Sequence, residues 1–574
     1  MTATVRELYR ECGIGREHAA SDYFCLISRL VPLRQEQGNE WQRPIDQTYQ
    51  LIQDEIENNQ GQPTQEVKFG TSGWRGVLGK DLFVRSVSQV TAAIVSLYEE
   101  LETDAILAPF LGVTSLAEAR VRGCVLGFDN RFGGEILAAA VAEVLRKNDF
   151  TVHYAGESTT GVLSAALLEL KAAFSVNLTP SHNPLQYGGF KYNAADGGPA
   201  ASELTDQITA RAREIIATRT TILDTAAVLP SPLKRVDLHP FDSLACWKNL
   251  VRKNRAVHGL DLDAILAGLA DRADLCVAVD AVHGASRLHL PELLAGGGER
   301  FVHLRGEADV TFGGVAPEPS SVNMQGVMAA LGARPEPLKL GAIIDPDGDR
   351  IRFCDDTTQI SMNQFGAMAY HFLHEVKGLK GMVAKTVATS NLANSLARAF
   401  GEEVFEPRVG FKEFKPVIGS ALVCFEESDG ITVIGHTPEK DAYIGLLLAL
   451  DMVQTLGVNL GEYLRRIEAE FGACYPDRDG VEVSLRGDEL LTRLARLEHY
   501  GVGAELTVGE TVRTITEVIA IDGRKMILDD GSWLMIRPSG TEPKVRFYVE
   551  GRSLEQSREL ITCARALLAE IDLL

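Results

Sequence analysis

Leu340-Gly341-Ala342-Ile343-Ile344-Asp345-Pro346-Asp347-Gly348-Asp349-Arg350 is the stretch from which the rest of the chain can be read. Five apolar residues make a strand candidate, and three carboxylates fall on a tight turn at its C-terminal end, where ligands sit in open α/β sheets. Alternate aspartates on one turn can all point at a common centre. Hard carboxylate oxygens with coordination positions left open suit Mg²⁺. The competing reading is a solvated acidic turn. An EF-hand loop is excluded, because its sixth position requires Gly and holds Arg350, and its twelfth requires Glu and holds Asp356.

Working outward, short β-like runs lead into longer amphipathic stretches: 124–128 then 135–146, 174–178 then 202–216, 275–279 then 289–294. That alternation is the signature of an α/β layered architecture. Further strand candidates are 380–387 and 421–425, with a helix at 442–456. The last hundred residues differ, with strand-like runs at 480–485, 511–521, 525–528, 533–536 and 545–550 and a closing helix at 553–571, the pattern of a small α+β domain. Before all of this, Leu8, Tyr23, Leu26, Leu30, Tyr49, Ile52 and Ile56 recur at helical spacing and end in the turn-rich Asn58-Asn59-Gln60-Gly61-Gln62-Pro63. The expectation there is a helical appendage packed on the first domain.

The bulk numbers agree. A chain of 574 residues exceeds what one hydrophobic core supports, and roughly four domains are expected. Apolar residues at 45% and charged residues at 24% are ordinary globular usage. With 57 Lys and Arg against 78 Asp and Glu, the net charge of −21 repels polyanions, so neither nucleic acid nor an anionic membrane is an expected partner. The N-terminal residues carry charges where a signal peptide needs an apolar stretch, which points to the cytoplasm. Nine scattered cysteines without a CxxC pair are read as reduced, mostly buried thiols.

Four more segments carry chemistry. Thr179-Pro180-Ser181-His182-Asn183-Pro184 follows a strand candidate, and its prolines stiffen a loop that presents one hydroxyl beside an imidazole; Lys191 lies close behind. A serine held in this way can accept and return a phosphoryl group. Phe69-Gly70-Thr71-Ser72-Gly73-Trp74-Arg75-Gly76 offers backbone N–H groups and the planar fork of Arg75 to an anion. It is not a P-loop, since Trp74 stands where the leading Gly belongs and no Ser or Thr follows Lys80. Arg537-Pro538-Ser539-Gly540-Thr541-Glu542-Pro543-Lys544 gathers an arginine, two hydroxyls and an exposed backbone into a phosphate cradle. Glu426-Glu427-Ser428-Asp429-Gly430, at another strand end, has acceptors and a donor suited to vicinal sugar hydroxyls. Each alone also reads as an ordinary polar turn.

In this order and spacing the five segments resemble the α-D-phosphohexomutase superfamily, over about residues 65 to 574. The resemblance implies four domains around a central cleft, three similar α/β domains with mixed sheets and a C-terminal α+β domain. The borders expected are 1–62 for the helical extension, 63–235, 236–338 with the Mg²⁺ loop at its C-terminal border, 339–460 and 461–574. It implies that Ser181 is the phosphorylated residue and that Asp345, Asp347 and Asp349, with Ser181, hold one Mg²⁺. Arg75, His182, Lys191 and Arg350 then surround the transferring phosphoryl. Glu426 and Ser428 contact the sugar, Lys412 lines the cleft, and Arg537, Ser539, Gly540 and Thr541 grip the phosphate that stays. Glucose 1,6-bisphosphate is the implied activator and intermediate, the substrate a sugar phosphate, and the protein a monomer or homodimer.

Two departures bear on substrate. Phe425 stands where Gly commonly precedes the sugar-loop glutamate, and Asp429 where a small residue is common. Gly430 occupies a position at which phosphomannomutase-like members often carry His, which favours glucose phosphates. The expected activity is therefore interconversion of glucose 1-phosphate and glucose 6-phosphate. The alternatives are a phosphomannomutase or dual-specificity phosphohexomutase, a non-catalytic sugar-phosphate-binding protein, and a Mg²⁺-dependent phosphatase.

Overall fold

The structure, a computed structural model, describes residues 3–15, 17–70, 73–101, 107–218, 238–539 and 544–574. The chain forms two compact units. The first comprises Met1–Ala256, Leu260–Arg352 and His436–Leu450; the second comprises Val257–Gly259, Phe353–Gly435 and Asp451–Leu574.

The first unit contains two α/β layers. In one, the order is Phe69–Gly70, Gly73–Val77, Tyr187–Ala194, Phe174–Leu178, Cys124–Phe128, Val152–Glu157. The last three of these are parallel, and Tyr187–Ala194 runs antiparallel to both of its neighbours. The central strands Cys124–Phe128 and Phe174–Leu178 are buried on both faces, as a parallel sheet covered by helices requires, and so read as continuous apolar runs. In the other layer Phe301–Leu304, Leu275–Asp280 and Leu338–Ile344 run parallel.

This pairing corrects one expected border. Leu338–Ile344 bonds to Leu275–Asp280, so the aspartate loop ends a strand of the second layer, and a division at 338 would cut that sheet. The proline-rich residues before it form a loop inside the domain, not a linker.

The second unit holds a four-stranded sheet ordered Val404–Phe405, Val383–Lys385, Val423–Glu426, Gly430–Val433. It also holds a six-stranded antiparallel sheet closed by the helix Leu554–Glu570. Here too a border moves. The helix Leu460–Phe471 packs with Met362–His371, His371 Nδ1 lying 2.7 Å from the Tyr463 hydroxyl, so the turn near 460 lies within the third domain. The expected strand at 480–485 lies earlier, at Tyr475–Glu482, because its register is set by antiparallel pairing along Lys544–Gly551.

The first residues fold into helices, as expected: Ala3–Glu11, Tyr23–Gln37 and Gln42–Asn58. Asp22 caps the second by accepting from the Cys25 N–H at 2.8 Å. Leu26, Ile27, Leu30, Ile52 and Ile56 are fully buried, and the Lys80–Glu55 pair at 2.5 Å ties the extension to the first sheet's domain. The reading of all nine cysteines as reduced is corrected. Cys12 and Cys25 form a disulfide, because the turn between two helices brings their Cα atoms to 5.6 Å across 13 residues, a juxtaposition invisible to a search for close-spaced pairs. The other seven are free, and all but Cys246 are buried. Among the described residues no single helix is long and apolar enough to cross a membrane.

Candidate active site

The first unit brings the two most reactive loops together. Each follows the C-terminal end of a parallel strand: Ser181 follows Phe174–Leu178, and Asp345 follows Leu338–Ile344. The Ser181 hydroxyl donates to Asp345 Oδ2 at 2.7 Å and lies 3.2 Å from His182 Nδ1.

Ser181 has φ of 56°, a left-handed conformation that costs a residue with a Cβ on the order of 1–3 kcal/mol. The surroundings enforce it. Its N–H donates to Thr179 Oγ1 at 2.8 Å, and that hydroxyl donates to Asp129 Oδ2 at 2.6 Å. Gly189 on the adjacent strand allows the close approach, since a Cβ there would collide with the Thr179 carbonyl and Pro180.

Asp345, Asp347 and Asp349 are all buried, and one oxygen of each lies within 4.8 Å of the others. The turn is drawn tight by Asp345 Oδ1, which accepts the N–H groups of Asp349 and Arg350 at 3.0 Å each. Lys191 Nζ donates to Asp347 Oδ2 at 2.5 Å and Asp349 Oδ2 at 2.8 Å, while Lys440 Nζ stands 3.4 Å from Asp349 Oδ2. Thr160 Oγ1 donates to Asp347 Oδ2 at 2.7 Å. Among the described residues Asp347 Oδ1 and Asp349 Oδ1 are buried without a hydrogen-bond partner, a costly state unless positive charge stands close by. Three converging carboxylates, two with a spare oxygen, fit a hard divalent cation.

The electrostatics follow from burial and crowding. Burial, then the charges of Asp347 and Asp349, push Asp345 well above the usual carboxylate range. Against the same burial, Lys191, Lys440 and Arg350 hold Asp349 well below it. Burial pushes the His182 imidazole well down, helped by Arg350 and Arg75, so it is neutral at physiological pH. Arg350 Nε reaches Asp349 Oδ1 at 3.7 Å. Arg75 donates to Asn183 Oδ1 at 2.7 Å and so touches the serine loop.

Four residues around this site carry no mark in the sequence reading: Lys440, Thr160 and the pair Asp129 and Arg131. Thr160 and the Asp129 pair follow the C-terminal ends of Val152–Glu157 and Cys124–Phe128. The strand-end rule applied to every strand would have found them. Lys440 precedes the helix Ala442–Leu456 and carries no comparable local signal.

The remaining candidates lie in the second unit. Glu426 ends the strand Val423–Glu426 and is buried, and Ser428 sits in the following turn, which Asp429 closes at φ of 72°. Glu427 accepts from the Thr386 hydroxyl at 3.0 Å. Lys412 lies in the short helix Phe411–Phe414. Arg537 pairs with Asp522 at 3.1 Å, and the Ser539 N–H donates to the Lys544 carbonyl at 2.8 Å. Gly540 and Thr541 lie outside the described residues.

Four family models match in sequence along the chain. They are phosphoglucomutase/phosphomannomutase alpha/beta/alpha domain I at residues 66–219, domain II at 262–358, domain III at 361–471 and the C-terminal domain at 497–562. A phosphoglucomutase/phosphomannomutase of Thermococcus kodakarensis is 26% identical over 525 residues, covering 88% of this chain and 98% of its own. Phosphoglucomutase 1 of Drosophila melanogaster is 25% identical over 478 residues, covering 75% of this chain and 84% of its own. The solved structure of the Paramecium phosphoprotein pp63/parafusin, a phosphoglucomutase in its open form, has the same fold, with a TM-score of 0.67 at 20% identity over 89% of this chain and 96% of its own. With all four domains present in order and the serine and aspartate loops meeting in the first unit, the chain belongs to the phosphoglucomutase/phosphomannomutase family and is a phosphohexomutase, an enzyme of the isomerase class.

Proposed function

We propose that this enzyme is a cytoplasmic phosphoglucomutase that interconverts glucose 1-phosphate and glucose 6-phosphate through a phosphorylated Ser181. The observation that carries the reading is the Ser181 hydroxyl 2.7 Å from a buried triad of carboxylates with two spare oxygens. Asp345, Asp347 and Asp349, with the Ser181 oxygen, would hold Mg²⁺, which supplies charge neutralisation for the phosphoryl group.

In the transfer, the P–O bond to Ser181 breaks as one to a sugar hydroxyl forms, giving glucose 1,6-bisphosphate. In that step the proton of the attacking hydroxyl passes to the Ser181 oxygen; once the bisphosphate has turned over, Ser181 takes its other phosphoryl and the proton passes on to the sugar oxygen that is released. Such reactions run on positioning and electrostatics. Lys191 pairs with Asp347 and Asp349 and helps keep Asp349 ionised, Arg75 and Arg350 face the anion, and His182 is neutral. Glu426, Ser428 and Lys412 contact sugar hydroxyls in this reading, and Arg537, Ser539, Gly540 and Thr541 hold the phosphate not in transfer.

A second reading, a phosphomannomutase or dual-specificity enzyme, is favoured by the Thermococcus relative, whose name carries both activities. A coupled assay with glucose 1-phosphate and catalytic glucose 1,6-bisphosphate separates the possibilities. Isomerisation supports the mutase; silence would make the chain a binding protein, and inorganic phosphate a phosphatase. Comparing glucose, mannose and glucosamine phosphates then tests the sugar, with glucose expected fastest and a faster mannose phosphate reversing the assignment.

A further inference from the structure

We propose that Arg131 is a positioning residue for the nucleophile loop, and that the N-terminal helix Tyr23–Gln37 steadies it through the turn that carries Phe312. This rests on the reading of Ser181 as phosphoryl carrier.

Arg131 stands just beyond the strand Cys124–Phe128 and is almost wholly buried. Its guanidinium serves four backbone carbonyls of one loop. Nη2 donates to Ser181 O at 2.8 Å and to Asn183 O, and Nη1 donates to Pro184 O at 2.8 Å and Tyr187 O at 3.3 Å. These acceptors bracket the loop from the nucleophile to the start of the next strand. Asp129, two residues earlier, holds the other side of the same residue through Thr179 and the Ser181 N–H. The left-handed Ser181 is thus clamped at its N–H and at its carbonyl by two side chains of one strand end, which fixes the direction in which its hydroxyl points. Only a planar fork with several donors can reach acceptors spread in this way; an ammonium cannot.

The clamp is itself backed. The Arg131 guanidinium lies over the Phe312 ring at 4.9 Å. The turn around Phe312 is gripped by the N-terminal extension: Arg34 Nη2 donates to Asp309 Oδ2 at 3.3 Å and Thr311 Oγ1 at 3.0 Å, and the Gln35 amide donates to the Gly313 carbonyl. Tyr49 of the extension packs on Phe132, next to Arg131, with ring centroids 4.6 Å apart. The family models begin at residue 66, so these helices lie outside the matched core yet touch the support of its nucleophile.

The test uses the full-length enzyme. Arg131→Lys should lower kcat about 100-fold, the cost of a misplacement of about 1 Å, while KM stays close to the wild-type value. Amide hydrogen exchange across 179–187 should quicken, with that of the helix Val84–Glu99 unchanged. The double variant Arg34→Ala/Gln35→Ala leaves Arg131 intact and should lower kcat about fivefold, under 1.4 kcal/mol of barrier, again at constant KM. Unchanged kcat and unchanged loop exchange in Arg131→Lys would overturn the positioning role, and an unaltered double variant would overturn the part given to the extension. If the wild type itself shows no mutase turnover, the functional reading fails, and the exchange comparison still decides whether Arg131 holds the loop.

Discussion

Each unit buries a cluster of charge, and the two clusters are finished differently. In the second unit Lys385 and Lys525 are fully buried around Glu406. Lys385 Nζ reaches Thr389 O, Asn391 Oδ1 and Glu406 Oε2 at 2.9–3.1 Å. Lys525 Nζ reaches Val387 O, Asn391 Oδ1 and Glu406 Oε1 at 2.9–3.0 Å and lies 4.2 Å from the Trp533 ring centroid. When both are protonated, each ammonium has three donors and three acceptors. In the first unit three aspartates face Lys191, Lys440 and Arg350, and among the described residues two of their carboxylate oxygens have no hydrogen bond. A closed cluster joins secondary elements and asks for nothing more, whereas an open one retains a demand for charge that a cation or a reacting group can meet.

The sharpest way to break this contrast is to remove the proposed nucleophile. Ser181→Ala should reduce turnover by at least about 10⁴-fold with an unchanged circular dichroism spectrum; near-normal rates would move the chemistry elsewhere. Asp347→Asn keeps the volume but weakens the anionic centre, and a loss of about 10²–10³ in kcat is expected. Chelation of divalent cations should silence the wild type in the same assay, and added Mg²⁺ should restore it. Glu426→Ala, in the second unit, should weaken catalysis more than it weakens binding of inorganic phosphate, measured by titration calorimetry. The opposite order would mean that the sugar and phosphate loops have been exchanged.

The closed cluster predicts a stability effect without a catalytic one. Burial, with the neighbouring Lys385, brings Lys525 down to about 7 against the pull of Glu406. The unfolded chain therefore holds this proton between about pH 7 and the ordinary lysine range near 10.4 while the folded chain does not, and stability rises with pH across that window. The gain is at most about 1.4 kcal/mol per pH unit. Lys525→Met should remove that part of the slope in urea unfolding at pH 7 and 9.5 while mutase activity at pH 7 stays unchanged. A parallel slope in the variant would mean that the lysine titrates normally.

Much of this was legible in the residues. The strands Cys124–Phe128 and Phe174–Leu178 are mostly apolar because both faces are covered, and their bounds are legible in the sequence. The helix Ala442–Leu456 was likewise found whole. Loops at strand ends carry their chemistry in consecutive letters, so Ser181 and the three aspartates could be named directly. The errors share one cause. The border near 338, the strand placed at 480–485 and the cysteines taken as free all depend on partners distant in the chain, through sheet pairing, register and a contact between helices.

The local pattern of the chain thus determined which segments become strands and helices and which loops carry the candidate serine, carboxylates and basic side chains, because period and residue type act over a few neighbours. Only the tertiary structure decided that Ser181 meets Asp345, that Lys191 and Lys440 converge on Asp349, and that Arg131 closes around the serine loop. Those contacts span up to 164 residues. Contact at that range is set by how whole sheets and helices pack, which no short stretch of sequence encodes by itself.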